Sequence, residues 1–109
     1  MNTECLRNVA IITLEPEIIN INKLKATIAP IVKKYKNLIF DMSQIKLIDS
    51  IGCSNLLTCL RKLNCSGGDI RLCGVQIPVL TLFEFLRIHR IVDIFETREE
   101  AVTSFYFWG

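Results

Sequence analysis

The sequence predicts an α/β domain, α+β-like in its one antiparallel pair. It is a small mixed β-sheet of 4–5 strands with about four helices, in the order ββαβαβαβα. Three observations lead there. Short apolar runs rich in β-branched residues, such as Val9 to Leu14 and Leu38 to Met42, alternate with longer segments whose apolar residues return every three or four positions. Turn residues punctuate that alternation at Pro16, Gly67-Gly68 and Gly74. The 109 residues are 50% apolar, enough for one core and too apolar for a disordered chain. With no repeat, linker or low-complexity stretch, residues 1–109 read as a single domain.

Val9 to Leu14 reads as a strand, and residues 2–6 as a short partner before it. Pro16 ends pairing because it has no N–H to donate. Asn20 or Asn22 is a candidate N-cap for a helix whose apolar face is Leu24, Ile28, Ile31, Val32 and Tyr35. Lys23, Lys25, Lys33, Lys34 and Lys36 take the other side, which reads as a solvated face. Pro30 is expected to kink or split this helix, and Asn37 to close it.

Leu38 to Met42 follows as a buried central strand. Ile45, Leu47 and Ile48 lead to Asp49-Ser50, which opens a second helix lined by Leu56, Leu57, Leu60 and Leu63 and stopped by Gly67-Gly68. Asp69 to Cys73 is the next strand, broken by Gly74. Pro78 suits the first turn of a third helix with the stripe Val79, Leu82, Phe83 and Leu86. Ile91 to Phe95 is the last strand. Thr97 and Glu100 form a capping box for a final helix, with Phe105, Tyr106, Phe107 and Trp108 as an aromatic tail. That tail favours a homodimer or a permanent partner.

Composition removes several function classes. A net charge of +2 is too balanced for the basic field of a nucleic-acid binder. The mean hydropathy of +0.37 is high, yet no run approaches the roughly 18 apolar residues of a membrane span. Met1-Asn2-Thr3-Glu4 does not resemble a signal peptide, so a cytoplasmic location is expected. The five cysteines, at 5, 53, 59, 65 and 73, are odd in number and include no C-x-x-C pair. They read as buried free thiols in a reducing compartment, with no metal site. No phosphate-binding glycine loop, dinucleotide fingerprint or nucleophile elbow is present, so no enzyme activity and no cofactor are expected. His89 has no nucleophile near it in the chain. Cys53 sits at the start of a helix, where the dipole can lower a thiol pKa, but no base is visible to activate it.

The informative stretch is Phe40-Asp41-Met42-Ser43-Gln44-Ile45-Lys46-Leu47-Ile48-Asp49-Ser50-Ile51-Gly52-Cys53. A buried strand runs out into a loop, and Ser50 then falls at the N-cap or first turn of a helix. Its plain role there is a cap, worth about 1 kcal/mol. A phosphate on the same oxygen would meet free N–H groups and the positive end of the dipole. It would also place about −1.5 to −2 charges beside Asp49.

Taken in order, Asp41-Met42-Ser43, Ile48-Asp49-Ser50-Ile51-Gly52, Gly67-Gly68-Asp69-Ile70-Arg71-Leu72 and Ile91-Val92-Asp93-Ile94-Phe95-Glu96 resemble the STAS domain. The resemblance runs over roughly Val9 to Phe105. By size and motif it is nearest to the bacterial anti-sigma-factor antagonists, which are not enzymes. It implies that Ser50 is the phosphoacceptor of a partner serine kinase of the GHKL type, itself the anti-sigma factor. It also implies a PP2C-like phosphatase that reverses the modification. The implied partner surface is Asp49, Ile51, Gly52, Cys53 and Leu57, together with Glu15, Glu17 and Ile18 in the loop after the second strand. The chain departs from the family pattern in four places. That early loop carries Pro16, Glu17, Ile18 and Ile19 in place of Gly and Asp. Ile51 stands where a small hydroxyl is common, Cys53 where Leu is common, and Leu86-Arg87 where Ser-Gly is common. A constitutive STAS subunit of a larger assembly, such as an ABC lipid-transport complex or a stress-signalling scaffold, is the alternative that the same resemblance allows.

Overall fold

Alternation along the strands decides how the molecule layers. In the computed structural model, which describes residues 3–6, 8–16, 21–65 and 69–107, five strands form one sheet. They are β1 (Thr3–Leu6), β2 (Val9–Thr13), β3 (Asn37–Asp41), β4 (Asp69–Cys73) and β5 (Asp93–Phe95). The helices are α1 (Ile21–Lys34), α2 (Ser50–Cys65), α3 (Ile77–Phe85) and α4 (Arg98–Phe107), with a 3-10 turn at Ile88–Arg90. The candidate cap Asn20, the loop residues Glu17, Ile18 and Ile19, the Gly67-Gly68 stop and Trp108 lie outside the described residues.

Strand order in the sheet is β1-β2-β3-β4-β5, the same as in the chain. β1 pairs antiparallel with β2, and every later pair is parallel. Parallel neighbours need a crossover, and the helices supply it. The register is level: Val9 faces Asn37, which faces Asp69. The loops after β2, β3 and β4 therefore leave the sheet along one edge.

Successive side chains alternate between the two faces. Ala10, Ile12, Leu38, Phe40, Ile70 and Leu72 point to the main core, which they share with α1, α2 and α3 through Leu24, Ile28, Leu56, Leu60, Val79 and Phe83. Val9, Ile11, Ile39 and Cys73 point the other way, against Ala101 and Phe105 of α4. β3 is buried on both faces, which explains its unbroken apolar run. Arg71 also lies on the α4 face. Its guanidinium stacks 3.7 Å from the centroid of the Phe105 ring, 3.5 Å from Asp69, with Nε and Nη1 unpartnered among the described residues.

Several local expectations are corrected. α1 runs unbroken through Pro30 rather than splitting. Pro30 and Ala26, whose carbonyl loses its donor, are both exposed, so that carbonyl is open to solvent rather than buried without a partner. Asn22 lies inside α1 and Asn37 opens β3, so neither caps this helix. Leu86 lies past the end of α3 at 43% exposure, because α3 ends at Phe85 and Arg87 takes a left-handed turn with φ 59°. β5 starts at Asp93, two residues late. Phe105 is core rather than tail. Cys5 is exposed, while Cys53, Cys59 and Cys73 are buried, all four as free thiols. Thr97 does cap α4: its hydroxyl accepts the Glu100 N–H at 3.1 Å and faces the Glu100 carboxylate at 3.4 Å.

Candidate functional site

The edge where the parallel strands end gathers the residues the sequence singles out. Open parallel sheets place their working loops there, because every crossover returns on the other side. Leu14 donates to the Asp41 carbonyl at 3.0 Å and Met42 to the Cys73 carbonyl at 2.9 Å, carrying the sheet's pairing into these loops. The Gln76 side-chain amide donates to the Ser43 carbonyl at 2.7 Å, tying the loop after β3 to the start of α3.

Beneath that surface Asp41 forms a buried anchor. One oxygen accepts the Ser43 N–H at 2.9 Å and the other accepts from Arg98 at 2.6 Å. Arg98 also donates to Glu4, so one side chain of α4 joins β1 and β3. Burial pushes the Asp41 carboxyl up. The Arg98 guanidinium and the Ser43 amide outweigh it and hold the carboxyl below its usual range. Gly74, with φ +66°, passes so close that a Cβ there would sit 3.1 Å from Asp41 Oδ1 and 3.3 Å from Ser43 Cβ. A side chain at residue 74 would press on Asp41 and Ser43 and strain the backbone, so glycine is favoured there.

The loop then opens α2, and here the structure reassigns one role. Asp49, not Ser50, is the N-cap. Its carboxylate accepts the Gly52 N–H at 2.7 Å, and its carbonyl accepts the Cys53 N–H at 2.9 Å. Ser50 is the first residue of the helix and is exposed. A carboxylate one residue earlier has taken the orphan amide, so the Ser50 hydroxyl is not needed as a cap.

The side chains around Ser50 divide by helical spacing. Ile51 is 71% exposed and Leu47, in the approaching loop, 80% exposed, while Ile45 turns into the core. Ser54, one turn beyond Ser50, is exposed on the same side. Leu47 and Ser54 are absent from the surface that the sequence suggests. The signal for Ser54 was its spacing of four from Ser50. Leu47 had only its place between two inward residues. Leu57 is half-buried against the core. Gly52 is buried, and so is Cys53, at 1% exposure, its side chain packed in the main core. Burial also pushes the Cys53 thiol pKa up, opposite to the lowering that a helix start could give. Glu15 lies half-buried two residues past β2, at the same edge, while Glu17 and Ile18 fall outside the described residues.

Elsewhere, a cleft of about 470 Å³ brings His89 together with Glu84 and Glu96 over Val75, Leu80 and Ile94. No serine or cysteine is among the described residues lining it. Among the described residues no three His, Cys, Asp or Glu side chains are placed to hold a metal ion, and no helix is long and apolar enough to cross a membrane.

Comparison with known proteins gives one family. The model described as the STAS domain matches residues 1–101. Among curated proteins no sequence matches. The fold is shared with solved structures, among them these three. A candidate anti-sigma factor antagonist from Thermotoga maritima superposes with a TM-score of 0.79 at 22% identity, over 94% of this chain and 92% of that one. A chain from a structure of the stressosome, described as a signal integration and transduction hub, gives 0.79 at 16% identity over 94% of each chain. The Bacillus cell fate determinant SpoIIAA in its phosphorylated form gives 0.65 at 18% identity, over 94% of this chain and 96% of that one.

Proposed function

The chain belongs to the STAS domain family, and from that membership we propose that it is a non-enzymatic, cytoplasmic protein-binding regulator, an anti-sigma-factor antagonist switched at Ser50. The partner is a serine kinase of the GHKL type that is also the anti-sigma factor, and a PP2C-like phosphatase resets the switch. One observation carries this reading. Asp49 caps α2, so the Ser50 hydroxyl stands at the first turn without a capping duty, flanked in the chain by exposed Leu47 and Ile51.

The chemistry needs one bond exchanged. Ser50 Oγ attacks the γ-phosphorus of the kinase's ATP, its proton passes to a base of the kinase, and ADP leaves. In the reverse direction water in the phosphatase attacks the phosphorus and releases inorganic phosphate. Before transfer Ser50 itself is uncharged and the exposed Leu47 and Ile51 offer apolar contact beside it. Afterwards about −1.5 to −2 charges stand beside the Asp49 carboxylate. Burying them without a matching cation breaks the contact, while the helix start itself tolerates an anion. SpoIIAA, which shares this fold, is known in a phosphorylated form, so a scaffold of this kind accommodates the group.

The test is a phosphosite map of the chain from its native cells, followed by partner capture with variants. Phosphate at Ser50, absent in Ser50→Ala, is expected. Ser50→Ala should retain a kinase that Ser50→Asp releases, with unchanged circular dichroism. An unmodified Ser50 under all growth conditions, with Ser50→Asp still holding the partner, would overturn the switch.

The second reading is a constitutive subunit of a larger assembly, such as an ABC lipid-transport complex or a stress-signalling scaffold. It is favoured by apolar side chains that sit on α3 rather than α2, with Ile77 at 77% and Phe85 at 82% exposure. A complex of constant stoichiometry, indifferent to Ser50→Asp, is its signature.

A further inference from the structure

α1 and α2 hold six of the chain's 13 basic residues and none of its 11 acidic ones. The chain is only +2 overall, so the rest of it is net negative. These two helices therefore carry a local excess of positive charge.

Where α1 and α2 meet, their surface is furrowed. An open groove of about 410 Å³ has Ile28, Ala29, Val32, Cys59 and Leu63 along its floor, with Lys25, Lys33 and Lys62 around it. Lys25 and Lys62 stand close enough across the furrow that contact with the Lys62 amine and repulsion between the two charges push the Lys25 pKa down. Two like charges held face to face are relieved by an anion between them. The groove lies on the C-terminal half of α2: Cys59 is about 14 Å along the helix from Ser50 at 1.5 Å per residue. It is a separate surface from the proposed switch.

The shape selects among anionic partners. A bilayer needs protruding apolar anchors. Among the residues whose side chains are described, the large exposed hydrophobics, Leu47, Ile51, Ile77, Phe85, Leu86 and Tyr106, lie off α1 and off the C-terminal half of α2. A small inorganic anion gains nothing from an apolar floor. A helix with an apolar ridge and acidic flanks uses both features, the ridge filling the furrow and the carboxylates meeting lysines on either side. We propose that the α1–α2 groove is a docking site for an acidic amphipathic helix of a partner protein, seated on Ile28, Val32 and Leu63 and held by Lys25, Lys33 and Lys62.

The experiment uses the full chain, ¹⁵N-labelled, and a synthetic stapled helix with leucines at i, i+4 and i+7 flanked by glutamates. Amide shifts are expected at Ala29, Val32 and Leu63. Fluorescence anisotropy should show affinity lost by about tenfold or more in the double variant Lys25→Glu/Lys62→Glu, as for paired charges across an interface. Ala29→Glu, an exposed and helix-compatible change, should weaken binding without altering the fold. Ser50→Asp should leave it unchanged, which keeps this result independent of the phosphorylation switch. Shifts confined to other surfaces, or equal affinity for a peptide of the same charge with its leucine ridge scattered, would overturn the proposal. Retention by phosphatidylglycerol vesicles with no binding of the peptide would also overturn it, in favour of a lipid surface.

Discussion

Removing the Asp49 carboxylate and removing the Ser50 hydroxyl are expected to have unequal costs, although the two residues are neighbours. Asp49 holds the Gly52 N–H at 2.7 Å, so Asp49→Ala should cost about 1 kcal/mol. In thermal unfolding followed by circular dichroism that is a fall of about 5 °C. Ser50→Ala should stay within about 0.5 kcal/mol of the parent. Equal losses would return the cap to Ser50. The sequence placed both residues at the helix start but could not divide the roles, because either side chain can cap and the choice depends on the entry angle of the loop. The thiols differ in the same local way. Burial, with the Asp41 carboxylate adding to it, pushes the Cys73 thiol up to about 12. Cys53 and Cys59 are also raised by burial. In the native protein iodoacetamide, read by mass spectrometry, should modify Cys5 while sparing Cys53, Cys59 and Cys73. Unfolding should open all of them.

At the scale of elements, most of what the sequence announced is present, and the misses share a cause. β2 and β3 were legible because their apolar runs are buried on both faces, and β4 because Ile70 and Leu72 alternate between Gly67-Gly68 and Gly74, so pattern and burial coincide. The ends of α1, of α3 and of β5 were not, because they depend on tertiary contacts or backbone turns rather than on residue type. Pro30 shows the limit most clearly. Its ring forbids one hydrogen bond, but the packing of Leu24 and Ile28 into the core and of Ile31 and Val32 against it keeps α1 whole. That tolerance has a cost, since proline inside a helix is disfavoured relative to alanine. Pro30→Ala should therefore raise stability by about 1–3 kcal/mol in urea unfolding. A neutral result would mean that proline's restriction of the unfolded chain offsets the recovered bond. For the candidate site, the sequence located the strand-loop-helix that carries Ser50. It could not separate outward Ile51 from inward Cys53, two residues apart, before the facing of α2 was known.

For the whole molecule the Asp41–Arg98–Glu4 cluster matters most, since it ties β1, β3 and α4 together across the sheet. The Asp41 carboxyl has a folded pKa below its ordinary value, so its contribution to stability is fully present above the unfolded carboxylate range, about 3.9. It is lost as pH falls through the lower, folded value. Acid unfolding should become less steep in Asp41→Asn, whose stability at neutral pH should be lower by about 1–3 kcal/mol. An acid limb identical to that of the parent would show that other carboxylates govern it.

The same cluster acquires a further meaning from the order of the sheet. Because the strands lie side by side in the sequence in which they are synthesised, each new strand can join a neighbour already made, and no segment must wait for a distant one. α4 is the exception. It follows all five strands, yet among the described residues its Ala101 and Phe105 cover Val9, Ile11 and Ile39, and its Arg98 reaches back to Glu4 on the first strand. Without α4 all five strands can still pair, but Val9, Ile11 and Ile39 are left on a bare apolar face. A chain truncated before Arg98 is therefore expected to self-associate more readily than one that keeps α4, through the face that this helix covers.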